Sequence, residues 1–125
     1  VKGEIVKKEL QAMSDIPERT FNFALAIIKL CQTLESKGGV ARILSSQILR
    51  SGTSIGANVQ EAQAIFSKAD FTFKYSISCK EARETLYWLR LLNASKICDD
   101  STQPLLIECN ELVSILTTSV KKLKE

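Results

Sequence analysis

Residues 40–66, VARILSSQILRSGTSIGANVQEAQAIF, decide the fold. Val40, Leu44, Ile48, Ile55, Val59, Ala62 and Phe66 recur at the spacing of helical turns, so at 100° per residue they share one face of a single long helix. In its middle lie Ser51, Gly52, Ser54, Gly56 and Ala57. Each glycine weakens a helix by about 1 kcal/mol relative to alanine. In exchange, residues this small let a neighbouring backbone come close. The pattern therefore predicts an unbroken helix packed tightly against a partner. It ends before Ser67, which with Asp70 three residues on forms an N-cap signal for the next helix.

That third helix is expected over about Lys68 to Ala94. Phe71, Tyr75, Ser78, Ala82, Thr85, Leu89 and Leu92 line its seam, and Ile77, Trp88 and Leu91 form a second apolar flank about 100° away. The flank exceeds the needs of one bundle and is assigned to an oligomer interface. Upstream, Asp15, Pro17 and Glu18 read as a capped helix start. Phe21, Ala24, Leu25, Ile28, Cys31 and Leu34 follow as its apolar face, until Lys37-Gly-Gly ends the element. Asp99-Asp-Ser-Thr102 with Pro104 opens a fourth helix, in which Leu105, Cys109, Leu112, Leu116 and Leu123 face the core. Lys121, Lys122 and Lys124 suit the negative pole at its end. Four helices with short connections run antiparallel to their neighbours. The fold expected is all-α, an up-down-up-down four-helix bundle over residues 13–125, with 1–12 as an N-terminal extension and Met13 as the native start.

The chain has 125 residues, 45% of them hydrophobic and 25% charged, enough for one core and too short for two. No apolar run approaches the ~20 residues of a membrane span, and residues 1–13 hold no apolar signal core, so a cytoplasmic protein without a membrane partner is expected. Cys31, Cys79, Cys98 and Cys109 include no C-x-x-C pair, and the sequence has no histidine. A zinc site is not expected, and the cysteines read as small hydrophobes. Without histidine, the usual general base near neutral pH and the usual partner of a nucleophile are missing, so the protein is read as no enzyme, with no cofactor or metal. Seventeen basic against fourteen acidic residues give +3, which permits an anionic partner without requiring one.

Two constellations are candidates for function. Arg50, Ser54, Asn58 and Glu61 make a polar stripe on the second helix, positioned to meet Glu81 and Glu84 on the third. They read as an interhelical ion-pair network that fixes register, the alternative being a carboxylate metal site that lacks its histidines. Lys80, Arg83, Tyr87 and Arg90, spaced i, i+3, i+7 and i+10, form an exposed stripe that can hold phosphates and stack a base, or is simply a solvated face.

The run from Gln47 to Ala62, with Arg-Ser-x-x-Ser-Ile-x-x-Asn-x-x-Glu at residues 50–61, is followed by Ser67-Lys-Ala-Asp-Phe71 and by residues 80–92. Together these resemble the bacterial four-helix-bundle proteins encoded in intervening sequences of 23S ribosomal RNA genes, the S23 family. The likeness covers about Ile16 to Lys122. It implies a cytoplasmic, non-catalytic bundle that assembles as a homo-oligomeric ring, a pentamer. It also implies a fold shared with the accessory variability determinants of diversity-generating retroelements, basic pentamers that bind reverse transcriptase and nucleic acid. The expected function is a weak, sequence-independent platform for RNA, DNA or a nucleic-acid-handling protein. The alternative is an assembly module whose partner is only protein.

Overall fold

The structure, a computed structural model, describes residues 1–99 and 102–125. Four helices follow in order: α1 (Lys2–Lys37), α2 (Gly39–Ala62), α3 (Lys68–Ser95) and α4 (Gln103–Leu123). α1 packs on α2, α2 on α3, α3 on α4, and α4 returns to α1, closing a four-helix bundle around one core. The turn between α1 and α2 needs only Gly38 outside the helices. Gly38 and Gly39 take positive φ values of 69° and 57°, which side chains with a Cβ resist. Ser67 caps α3 by accepting a hydrogen bond from the Asp70 N–H at 3.4 Å. Thr102 precedes α4 and is buried, its hydroxyl donating to Asn93 Oδ1 at 3.3 Å. Asp100 and Ser101, part of the start signal read for α4, lie outside the described residues.

Three expectations need correction. α1 does not start at Asp15 but runs from Lys2, with Pro17 inside it. Around residues 9–13 α4 supports the added turns: Glu9 pairs with Lys122, and Ala12 and Met13 line a cavity of about 130 Å³ with Ile115 and Ser119, while residues 2–8 extend the helix into solvent. Asp15 is occupied within the helix, accepting from Gln11 Nε2 at 3.0 Å. α2 stops at Ala62, four residues short of Phe66, which stands fully exposed in the connection; Val40 is exposed as well. The third correction is the face of α1. Ile16, Thr20, Phe23, Ile27, Leu30 and Leu34 are buried, whereas Phe21, Leu25 and Ile28 point outward.

The reason for that rotation lies on α2. A Cβ on Gly52 would sit 2.9 Å from Ile27 Cγ1 and Cγ2, and one on Gly56 would sit 3.1 Å from the Thr20 carbonyl oxygen. The two glycines thus form a shallow seat for the Thr20–Ile27 side of α1, and the fit chooses between the two apolar stripes that helix carries. Buried hydroxyls complete the contacts of α2. Ser45 donates to the Cys31 carbonyl at 3.3 Å, Ser78 to the Ile55 carbonyl at 2.8 Å, and Thr85 to Ser51 Oγ at 2.9 Å. Among the described residues no buried side-chain nitrogen or oxygen lacks a partner, so none of these small polar groups carries an uncompensated desolvation cost.

Gly52→Val places two methyl groups where Ile27 already lies. Overpacking of this kind costs about 1–3 kcal/mol, and urea denaturation is expected to show a loss of that size with helicity retained.

Candidate nucleic-acid interface

α3 carries both constellations, on different sides. Toward α2, Arg50 Nη1 donates to Glu81 Oε2 at 3.3 Å, and Arg50 Nη2 pairs with Glu84. Trp88 Nε1 donates to the same Glu84 oxygen at 3.0 Å, and the half-buried indole packs against the core. Glu81 is 14% exposed and Arg50 51%. The structure does not join the remaining residues of the polar stripe to this cluster. Asn58 Nδ2 donates back to the Ser54 carbonyl at 2.8 Å, and Glu61 forms its own pair with Lys74 at 2.5 Å on the surface, 60% exposed. Among the described residues no three histidine, cysteine or acidic side chains gather closely enough to hold a metal ion.

On the other side Lys80, Arg83, Tyr87 and Arg90 are all exposed, as their spacing on the helix predicts, and Lys80 and Arg83 border α4. Arg83 reaches across, donating to Thr117 Oγ1 at 2.9 Å, and Thr117 in turn donates to the Val113 carbonyl at 2.7 Å. The result is a groove of about 410 Å³ whose lining includes Cys79, Lys80, Arg83, Val120 and Lys121. Lys121 is a residue that sequence reasoning missed, having been grouped with its neighbours at the end of α4. The bundle separates that cluster, because Lys122 pairs with Glu9 while Lys121 turns to the groove. Only the pairing of α4 with α3 could have shown it. Tyr87 meets Trp88 edge to face, ring centroids 5.3 Å apart, which limits its rotation and leaves much of the ring in solvent.

The flank Ile77, Trp88, Leu91 is less open than its spacing suggested. Ile77 and Trp88 are half-buried, and only Leu91 is exposed. The four cysteines are free. Burial in apolar surroundings pushes the Cys109 thiol up to about 12 from an ordinary 9.0, and its Sγ donates to the Ala82 carbonyl at 3.4 Å. Burial likewise raises Cys31 and Tyr75.

The connections and the closed circuit of helix contacts define an antiparallel four-helix-bundle protein with a cationic groove along one seam. The sequence matches the 23S rRNA-intervening sequence proteins over residues 13–118, and the chain belongs to that family. It is similar to a protein of unknown function from the S23 ribosomal protein family of Bacteroides thetaiotaomicron VPI-5482, known from a crystal structure. The two share 38% identity and a TM-score of 0.77, covering 88% of this chain and 98% of that one. No curated protein matches. Among the described residues no helix is long and apolar enough to cross a membrane.

Two outcomes are expected in solution. Glu61→Gln removes an exposed pair and should change stability by less than about 0.5 kcal/mol, while Glu81→Ala strips the more sheltered of two partners from the half-exposed Arg50 and should cost about 1 kcal/mol by urea denaturation. Cys109 sets an alkaline limit. Below pH 9 both folded and unfolded chains hold its proton; between pH 9 and about 12 the unfolded chain releases a proton that the folded chain keeps. Stability should fall there by up to about 1.4 kcal/mol per pH unit from this group, and Cys109→Ala should flatten the decline.

Proposed function

We propose that this protein is a non-catalytic, self-associating module of the cytoplasm that holds nucleic-acid phosphates along its α3–α4 groove. The observation that carries the reading is the distribution of unpaired charge. Seven acidic side chains of the bundle are matched locally: Glu108 and Glu111 by Arg19, Glu81 and Glu84 by Arg50, Glu61 by Lys74, Glu35 by Arg42, and Glu9 by Lys122. Lys80, Arg83, Arg90 and Lys121 take part in no ion pair among the described residues, and all four are exposed. A net charge of +3 is small, but Lys80, Arg83 and Lys121 share one groove, and Tyr87, one turn beyond Arg83, is exposed and can stack a base. These contacts address the backbone of a nucleic acid and carry no base sequence. Four unpaired thiols are in keeping with a reducing compartment.

Self-association, in the ring of five that the family likeness implies, multiplies the effect, since repeated weak stripes on one assembly bind with far greater avidity than one. A second reading, assembly with protein alone, draws its support from the apolar side chains that α1 leaves in solvent.

A gel-shift titration against structured RNA and duplex DNA separates the two. The phosphate reading expects a retarded species at about 50 mM salt that weakens steeply by about 200 mM. It also expects Arg83→Glu combined with Arg90→Glu to abolish retardation at both. No retarded species at low salt favours the protein-only reading, and retardation unchanged in the double variant moves the site to another surface.

A further inference from the structure

From Phe73 to Arg90 the exposed residues of α3 are Phe73, Lys80, Arg83, Tyr87 and Arg90, and no others. Two are aromatic, three are cations and none is acidic. At 100° per residue they fall within about 100° of the helix circumference, a single track about 26 Å long. Phe73 is 63% exposed and Tyr87 54%. The two rings stand about 21 Å apart along the helix, with Lys80 midway between them, Arg83 one turn before Tyr87 and Arg90 one turn after it.

Phosphate contacts account for the cations and leave Phe73 unexplained. A phenyl ring has no group that binds a phosphate, and the core does not use this one: Phe71 and Tyr75, to either side of it in sequence, stack on each other at 4.5 Å and pack inward, while Phe73 stays in water. What an exposed ring offers beside a row of cations is its face. Bases stack on aromatic faces whatever their sequence, and rings set along a positive track are the means by which proteins hold unpaired strands. A duplex keeps its base faces inside the stack and shows such a track only phosphates and groove edges. Tyr87 is prepared for stacking. Its ring meets Trp88 edge to face at 5.3 Å, and Trp88 is itself held by donating Nε1–H to Glu84 at 3.0 Å. A side chain already restricted in this way loses less freedom when a base lies on it.

We infer that this face of α3 takes an unpaired strand, a single-stranded RNA or DNA whose bases stack on Phe73 and Tyr87 while its phosphates pass Lys80, Arg83 and Arg90. The occupant follows from charge and shape together: the cations require a polyanion, and the two separated rings require one with open aromatic faces. The inference rests on the phosphate reading of the proposed function and adds to it the strandedness of the ligand.

Fluorescence anisotropy with dye-labelled oligo(U), oligo(dT) and a duplex of the same length, about 16 nucleotides, tests it at about 50 mM salt. The wild type is expected to hold the single strands at least about tenfold tighter than the duplex. Phe73→Ala and Tyr87→Ala should each weaken single-strand binding about tenfold and leave duplex binding unchanged. Phe73→Leu, apolar but without a π face, should match the alanine variant, and Phe73→Trp should match the wild type. Both positions are exposed, and circular dichroism melting checks that each variant folds. Binding of only one of the two single strands supports the inference and identifies the ligand as RNA or as DNA. A duplex held as tightly as the single strands overturns it and leaves the phosphate reading intact. So does single-strand binding that is indifferent to the loss of either ring. Polyglutamate that competes as well as unlabelled oligo(dT) overturns it in favour of an acidic peptide. A protein that binds none of the three nucleic acids refutes the phosphate reading itself, and the inference falls with it.

Discussion

Ile27 of α1 lies over Gly52 of α2 at a separation that leaves no room for a Cβ, and the Thr20 carbonyl lies over Gly56 at one that leaves a Cβ only a tight fit. A helix interior with two glycines is intrinsically weak, by about 1 kcal/mol for each relative to alanine. Here the loss is offset by dispersion contacts along a helix pair brought closer than larger side chains would permit. The contact also has a direction. It selects the Thr20–Phe23–Ile27 side of α1 for the core, and everything on the opposite side of that helix becomes surface.

From this seat the remaining contacts follow. α2 is small-sided on both flanks, so α3 can approach it closely too, and Ser78 and Thr85 reach the Ile55 carbonyl and Ser51 directly. α3 is thereby fixed in rotation, with Arg50 answering Glu81 and Glu84 on one side and Lys80 and Arg83 of the cationic stripe left beside α4 on the other. The charge pattern that motivates a nucleic-acid role is a consequence of helix rotation.

The two surfaces left open by this arrangement are of different kinds. The α3–α4 groove is lined by cations over an apolar floor, suited to diffuse, salt-sensitive contacts with phosphates. The outer face of α1 is apolar, and an apolar patch in water is relieved by covering it. In the proposed function the two would work together, because repetition of a weak cationic stripe around an assembly raises its avidity for a phosphate chain.

The number of helices, their class and the seam of α3 were legible in the sequence. Period and punctuation are local: Tyr75, Ser78, Ala82, Thr85, Leu89 and Leu92 repeat with little competition, and Gly38-Gly39 and Ser67 mark connections by backbone chemistry that acts within a few residues. The exposed stripe Lys80, Arg83, Tyr87, Arg90 followed from that seam by geometry. The sequence did not determine which stripe of α1 is buried, because Phe21–Leu25–Ile28 and Phe23–Ile27–Leu30 have the same spacing and similar hydrophobicity. Nor could it show that Asp15 and Pro17 sit inside a helix, since the contacts that hold residues 9–13 come from α4, about a hundred positions away. Lys121 joined the groove and Lys122 left it for the same reason. Local periodicity tells which residues share a face, whereas the partner that meets each face is settled only when the helices pack, here by the close fit of α1 onto two glycines of α2.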